Sequence, residues 1–213
     1  AADTRLVRAA ALYGANASGK SNLFKAMSFA RAMVINSSRE SSASEPISVE
    51  PFALVVPGNE TSEFEFLFIS DSRSWRYSFS ASHSAVVAER LVDETGKSRT
   101  MFVRAGQSIR LLDEEFSSAA GLDQRTRPNA LFLSVCAQFN LGIAVAMQKW
   151  FAERLQIVSG LDDELLLPFT IGQCKTSEGR RKILEFVRSL DVGIEKIEVR
   201  TIPLGESIPK GVP

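Results

Sequence analysis

The sequence predicts an α/β chain in which an antiparallel β lobe is inserted after the first helix of a P-loop core. Three observations predict it. A Gly-x-x-x-x-Gly-Lys-Ser run stands between an apolar stretch and an amphipathic one. Residues 49–112 then alternate apolar and polar with period two, interrupted only by short turn clusters, and from residue 130 the apolar spacing becomes helical. With 213 residues the chain forms one large domain or two small ones. It divides into a loop-and-helix segment at 1–48, the β lobe at 49–112, and a helical segment with a return strand at 113–213.

Residues 6–13 are mostly apolar and short enough for a buried strand, although Ala9, Ala10 and Ala11 prefer helix. Gly14-Ala15-Asn16-Ala17-Ser18-Gly19-Lys20-Ser21 follows and fits the phosphate-binding P-loop pattern. Two glycines let the backbone curl so that successive N–H groups point inward, and the next helix adds the positive end of its dipole. Lys20 suits the β- and γ-phosphates of a nucleotide, and the Ser21 hydroxyl suits Mg²⁺. Leu23, Met27, Ala30 and Val34 give the helix an apolar face. It should stop near Ile35, because residues 36–48 hold six serines and read as a solvated linker.

Strand-like runs follow at 49–54, 64–68, 75–79, 86–92, 99–104 and 109–112, with turn clusters at 57–60 and 71–74. The connections are too short for crossover helices, so the sheet is expected to be antiparallel. Phe64, Phe66, Phe68, Trp75, Tyr77 and Phe79 alternate onto one face. Stacking on adenine is one use for such a stripe, and core packing is the simpler one.

Residues 113–129 are polar and irregular, and a buried block begins at Ala130. Residues 142–155 carry Ile143, Met147, Trp150, Phe151 and Leu155 at helical spacing. Ser177 is placed to cap a helix bearing Ile183, Leu184, Val187 and Leu190, with Gly193 as its stop. Residues 194–202 read as a strand.

Lysine plus arginine and aspartate plus glutamate both number 25, so no global field draws nucleic acid or an anionic membrane. Arg180-Arg181-Lys182 and Arg125 with Arg127 read as solvated groups; nucleic acid as a partner has no support from charge. No run approaches the ~18 apolar residues of a membrane span. Cys136 and Cys174 stand 38 positions apart and His83 is the sole histidine, which leaves no material for a zinc cluster or a nucleophilic triad. Reduced cysteines fit the cytoplasm, and His83 reads as a turn residue.

Gly14, Asn16, Ser18, Gly19, Lys20 and Ser21, with Asn22 directly after, resemble the Walker A form of ABC-type and SMC-like ATPase heads. Arg127-Pro128-Asn129-Ala130-Leu131-Phe132-Leu133-Ser134, with Gln138-Phe139-Asn140 beyond, resembles a group of prokaryotic AAA-type ATP-binding proteins that includes anti-phage defence ATPases. The resemblance implies an α/β P-loop NTPase core, the N-terminal part of an ABC/SMC-like head, with residues 14–22 on ATP and Mg²⁺. It implies that Gln138 senses Mg²⁺ and the γ-phosphate; a polar residue ending a buried helix is the alternative reading. It also implies a homodimer through the heads and a partner effector protein.

Relatives of that kind carry the signature motif, the Walker B acidic pair and a switch histidine beyond the return strand, so the chain is expected to be the N-terminal half of a head that binds ATP without turning it over. Ile109-Arg110-Leu111-Leu112-Asp113-Glu114 is the nearest imitation of Walker B, but Arg110 interrupts it and Asp113 reads better as a helix cap. The rival functions are a small nucleotide kinase, which should alternate strands with helices, and a nucleotide-gated interaction module without turnover.

Overall fold

A computed structural model describes residues 6–39, 42, 45–50, 60–158 and 166–200. The chain forms two compact units, Ala1–Ile157 and Val158–Pro213.

The first unit is built on one antiparallel meander of β1 (Ser62–Ser70), β2 (Arg73–Ala81), β3 (Val86–Asp93), β4 (Arg99–Ala105) and β5 (Ser108–Leu111), in that spatial order. The expected antiparallel lobe is therefore present. Asp71 and Ser72, with φ of 49° and 62°, make the two-residue turn between β1 and β2, the backbone twist that a tight hairpin needs. The expected strand at 49–54 and turn at 57–60 fall largely outside the described residues.

Three helices join the sheet in one core: α1 (Lys20–Asn36), α2 (Phe132–Gln138) and α3 (Gly142–Glu153). Period-two alternation sends Trp75, Tyr77, Phe79 and Ala81 of β2 to the same buried face. Phe68, Phe66 and Phe64 of β1 stand opposite Trp75, Tyr77 and Phe79. The helices close over this stripe. Trp150 stacks on Phe68 at 4.2 Å between ring centroids, and Phe151 meets Phe66 edge-on at 5.1 Å. Phe29 of α1 reaches Phe64 at 5.4 Å. The aromatic stripe is core, as its simpler reading held.

Between the sheet and α2 the chain makes two short 3₁₀ turns, Glu114–Ala119 and Asp123–Arg125, which bury Phe116 against Phe102 and Phe132.

The second unit contains α4 (Leu167–Lys175) and α5 (Ser177–Ser189). Thr176, not Ser177, caps α5: its Oγ1 accepts a hydrogen bond from the Gly179 N–H at 3.1 Å, and Ser177 is the first helical residue.

Among the described residues two expected strands, 6–13 and 194–202 as far as residue 200, do not form. Residues 6–13 are irregular and exposed, with Val7 82% and Tyr13 91% accessible, and residues 194–200 are irregular too. A strand exists only through its pairing, and among the described residues neither run has a neighbour to take its backbone hydrogen bonds. Leu23, expected on the buried face of α1, is 44% exposed: none of residues 20–29 is buried, and the buried residues of α1, Ala30 and Val34, lie in its C-terminal half.

Among the described residues, no helix is long and apolar enough to cross a membrane.

Candidate functional site

The loop before α1 turns on two left-handed residues, Ala17 at φ 63° and Gly19 at φ 87°. Gly19 occupies the N-cap position, where it leaves the first-turn N–H groups of α1 without a side-chain acceptor. No acidic residue lies in that first turn. Gly14 lies close to the loop's own side chain: a Cβ there would sit 2.9 Å from Ser18 Oγ, so the hydroxyl would have to move. The result is a cavity of about 450 Å³ lined by Asn16, Ala17, Ser18, Gly19, Lys20, Ser21 and Asn22.

Lys20 supplies the positive charge. Its ammonium donates to the carbonyls of Gly14 and Ala15, each at 2.6 Å, and to Ser18 Oγ at 3.3 Å. These partners are neutral and on the surface, so a phosphate oxygen, which accepts a charge-assisted bond, is a stronger acceptor for the same ammonium. Ser21 and Asn22 are exposed on the first turn of the helix. The loop's shape and donor set fit a nucleotide's phosphates, and the Ser21 hydroxyl is an oxygen ligand of the kind Mg²⁺ takes.

Gln138 is placed elsewhere. It ends α2, is exposed, and neither lines this cavity nor hydrogen-bonds to the loop. Asp113 is structural: its Oδ1 accepts from the Glu115 N–H at 3.0 Å, capping a 3₁₀ turn, and Arg99 pairs with its other oxygen at 3.2 Å. Glu114 beside it is exposed. His83 is an exposed turn residue whose carbonyl accepts from Ile47.

Residues 9–187 match the family described as AAA domain, putative AbiEii toxin, Type IV TA system. The chain belongs to this AAA-domain family. It is thus an AAA-type, ATP-binding P-loop protein by membership, with the cavity at Asn16–Asn22 as the place where the fold displays the phosphate loop. No curated protein and no solved structure matches the chain.

In this AAA domain the second sequence motif, residues 127–134, turns out to be a junction. Arg127 donates to the carbonyls of Ser37 and Ser38, just after α1, at 3.2 and 3.1 Å. Asn129 Nδ2 donates to the carbonyls of Ser42 and Glu45. The Leu131 N–H donates to Ser37 Oγ, and Ser134 Oγ donates to Ser38 Oγ at 3.0 Å. The motif therefore pins the serine-rich linker that follows the loop helix.

Its other side is held by a buried pair. Glu89 of β3 and Arg104 of β4 are cross-strand partners. The Glu89 carboxylate accepts from the N–H groups of Phe132 and Leu133, at 2.7 and 2.9 Å, and so caps α2, while Tyr77 Oη donates to it at 2.9 Å. Arg104 donates to the carbonyls of Ala130 at 2.6 Å and Gly106 at 2.8 Å. Burial pushes the Glu89 carboxyl above its ordinary range, while the nearby guanidinium and the two amides pull it back. Sequence reasoning passed over both residues. The available signal was parity: Glu89 shares its face of β3 with buried Leu91, so it had to point inward and find partners there.

Proposed function

We propose that this AAA domain binds ATP with Mg²⁺ at residues 14–22 and acts as part of an ABC/SMC-like head whose ATP-dependent pairing and hydrolysis drive a mechanical or signalling output. The observation that carries the reading is the cavity lined by Asn16–Asn22, which includes Lys20 and the first residues of α1, a helix whose N-cap has no side-chain acceptor. Backbone N–H groups and the Lys20 ammonium would hold the phosphates, and Ser21 Oγ would be a ligand of the metal. Mg²⁺, when bound, neutralises charge on the phosphates. Membership of a family described as a putative AbiEii toxin of a Type IV TA system supports a role in a toxin system, and a partner effector protein is the natural receiver of the output.

Sedimentation velocity with a non-hydrolysable ATP analogue and Mg²⁺ tests the pairing step. The reading expects a nucleotide-dependent dimer that Lys20→Ala abolishes. A monomer at saturating analogue across the concentration range would remove head pairing from the account.

A second reading, a nucleotide-gated module without turnover, is favoured by one feature: none of the residues lining the cavity is acidic, so the cavity itself offers no carboxylate to activate water. The nucleotide kinase reading loses its basis, because all five strands of the sheet run antiparallel in sequence order.

A further inference from the structure

The last four carbonyls of any α-helix lack an intrahelical partner. On α1 two of these belong to Val34 and Ile35, and both accept from Gln148 Nε2 of α3, at 3.3 and 3.0 Å. On α3 two belong to Phe151 and Ala152. They accept from Arg31 of α1, through Nε at 2.8 Å and Nη2 at 2.7 Å. Each helix thus caps the other's C-terminal end, and the Arg31 guanidinium also lies at the negative end of the α3 dipole. Both side chains are partly buried.

This reciprocal clamp lies where α1 is fixed. Ala30 and Val34 are its buried residues, and Phe29, Met33 and Ile35 pack against the core, whereas none of residues 20–29 is buried. The phosphate loop therefore stands at the free end of a helix anchored at the other. Arg31 is 11 residues from Lys20, roughly 16 Å along the axis at 1.5 Å per residue. A tilt of about 5° at Arg31 displaces the loop by roughly 1.4 Å over that length. Hydrogen bonds to a phosphate tolerate about 0.5 Å. Apolar packing of Ala30 and Val34, with Phe29, Met33 and Ile35 beside them, is non-directional and fixes the helix angle less sharply than a two-pronged hydrogen bond does.

We propose that Arg31 and Gln148 are positioning residues for the phosphate-binding loop: the mutual capping of α1 and α3 sets the angle at which Lys20 and the first-turn amides meet the phosphates. The inference rests on the reading of residues 14–22 as the ATP site. Neither residue touches the nucleotide. Their loss acts through the helix axis, so it weakens every ligand that uses the loop and spares none of the phosphate chain.

Calorimetric titration of the whole chain with Mg²⁺-ATP and with inorganic tripolyphosphate decides it, at a temperature where circular dichroism shows every variant folded. Arg31→Ala is expected to weaken both ligands about tenfold, and Gln148→Ala to weaken both in the same direction. Arg31→Lys, which keeps the charge but cannot serve both carbonyls, is expected to fall between wild type and Arg31→Ala. Phe116→Leu, a core change remote from α1, serves as the control for lost stability and is expected to bind as wild type does. If Arg31→Ala does not fold, Arg31→Lys and Gln148→Ala decide alone. Wild-type affinity in these variants, or an equal loss in the Phe116→Leu control, overturns the positioning role while leaving the ATP site standing. Absence of binding by the wild-type chain removes the ATP site itself.

Discussion

The carboxylate of Glu89 stands 3.6 Å from the guanidinium of Arg104, and both side chains are fully enclosed. Each is satisfied by more than the other: Glu89 by two helix amides and a tyrosine hydroxyl, Arg104 by carbonyls of the loop that leads into α2. A pair so deeply desolvated adds little net stability over an apolar substitute, but it makes loss of one partner costly. It specifies where α2 begins, and with it the junction that pins the linker after the loop helix.

Glu89→Gln keeps the shape but turns one acceptor into a donor facing an amide, and it leaves the Arg104 charge without its counter-ion. The expected loss is roughly 3–5 kcal/mol, read by guanidinium denaturation of wild type and variant. A loss below about 1 kcal/mol would show that the pair is incidental to the junction.

Acid sensitivity should centre on Asp93. Burial works to raise this carboxyl, but hydrogen bonds from Arg73, Thr95 and Arg99 more than offset it and hold it down at about 2. A depressed acid stabilises the fold above its unfolded value and stops doing so as pH falls through the folded one. Stability is therefore lost between about pH 4 and pH 2. Glu115, lowered by hydrogen bonds from Arg73 and Arg99, adds in the same sense, whereas Glu89, raised by burial, opposes it. Asp93→Asn should flatten the acid limb of a thermal-stability profile; an unchanged slope contradicts the assignment.

Gly19→Ala isolates backbone conformation, since a Cβ at this position meets no atom within 4 Å and only the φ of 87° resists it. The left-handed geometry costs an ordinary residue about 1–2 kcal/mol. Because residues 14–19 are exposed, the melting temperature should barely change while ATP affinity falls. A variant with unchanged affinity would mean that the loop reshapes freely around its ligand.

Phe151→Ala removes the ring that meets Phe66, Phe68, Tyr77 and Trp150, and it is fully buried. A loss of roughly 3–5 kcal/mol in denaturant is expected. Much smaller destabilisation would place the contact between α3 and the sheet outside the cooperative core.

What the sequence disclosed followed the range of the physics involved. The phosphate loop is eight consecutive residues, and the meander is a period-two pattern joined by short turns, so both are written locally. α3 was equally plain from Ile143, Met147, Trp150 and Phe151. Residues 6–13 and 194–200 misled because apolar content records a tendency to pair, not the presence of a partner. α4 went unseen since Pro168 and Gly172 lie within nine residues and blur its helical spacing. The roles of Arg31, Gln148, Glu89 and Arg104 depend on partners many positions away in sequence, and no local pattern announces a side chain that caps another helix.

The proposed hold of residues 14–21 on a nucleotide's phosphates runs through Lys20. Isothermal titration of Mg²⁺-ATP into the wild-type chain and into Lys20→Ala tests it most directly, with circular dichroism on both. Among the described residues Lys20 hydrogen-bonds only within its own loop, so the variant should keep the wild-type spectrum and melting temperature while losing most of its affinity. A folded Lys20→Ala that binds ATP as tightly as wild type would contradict the account.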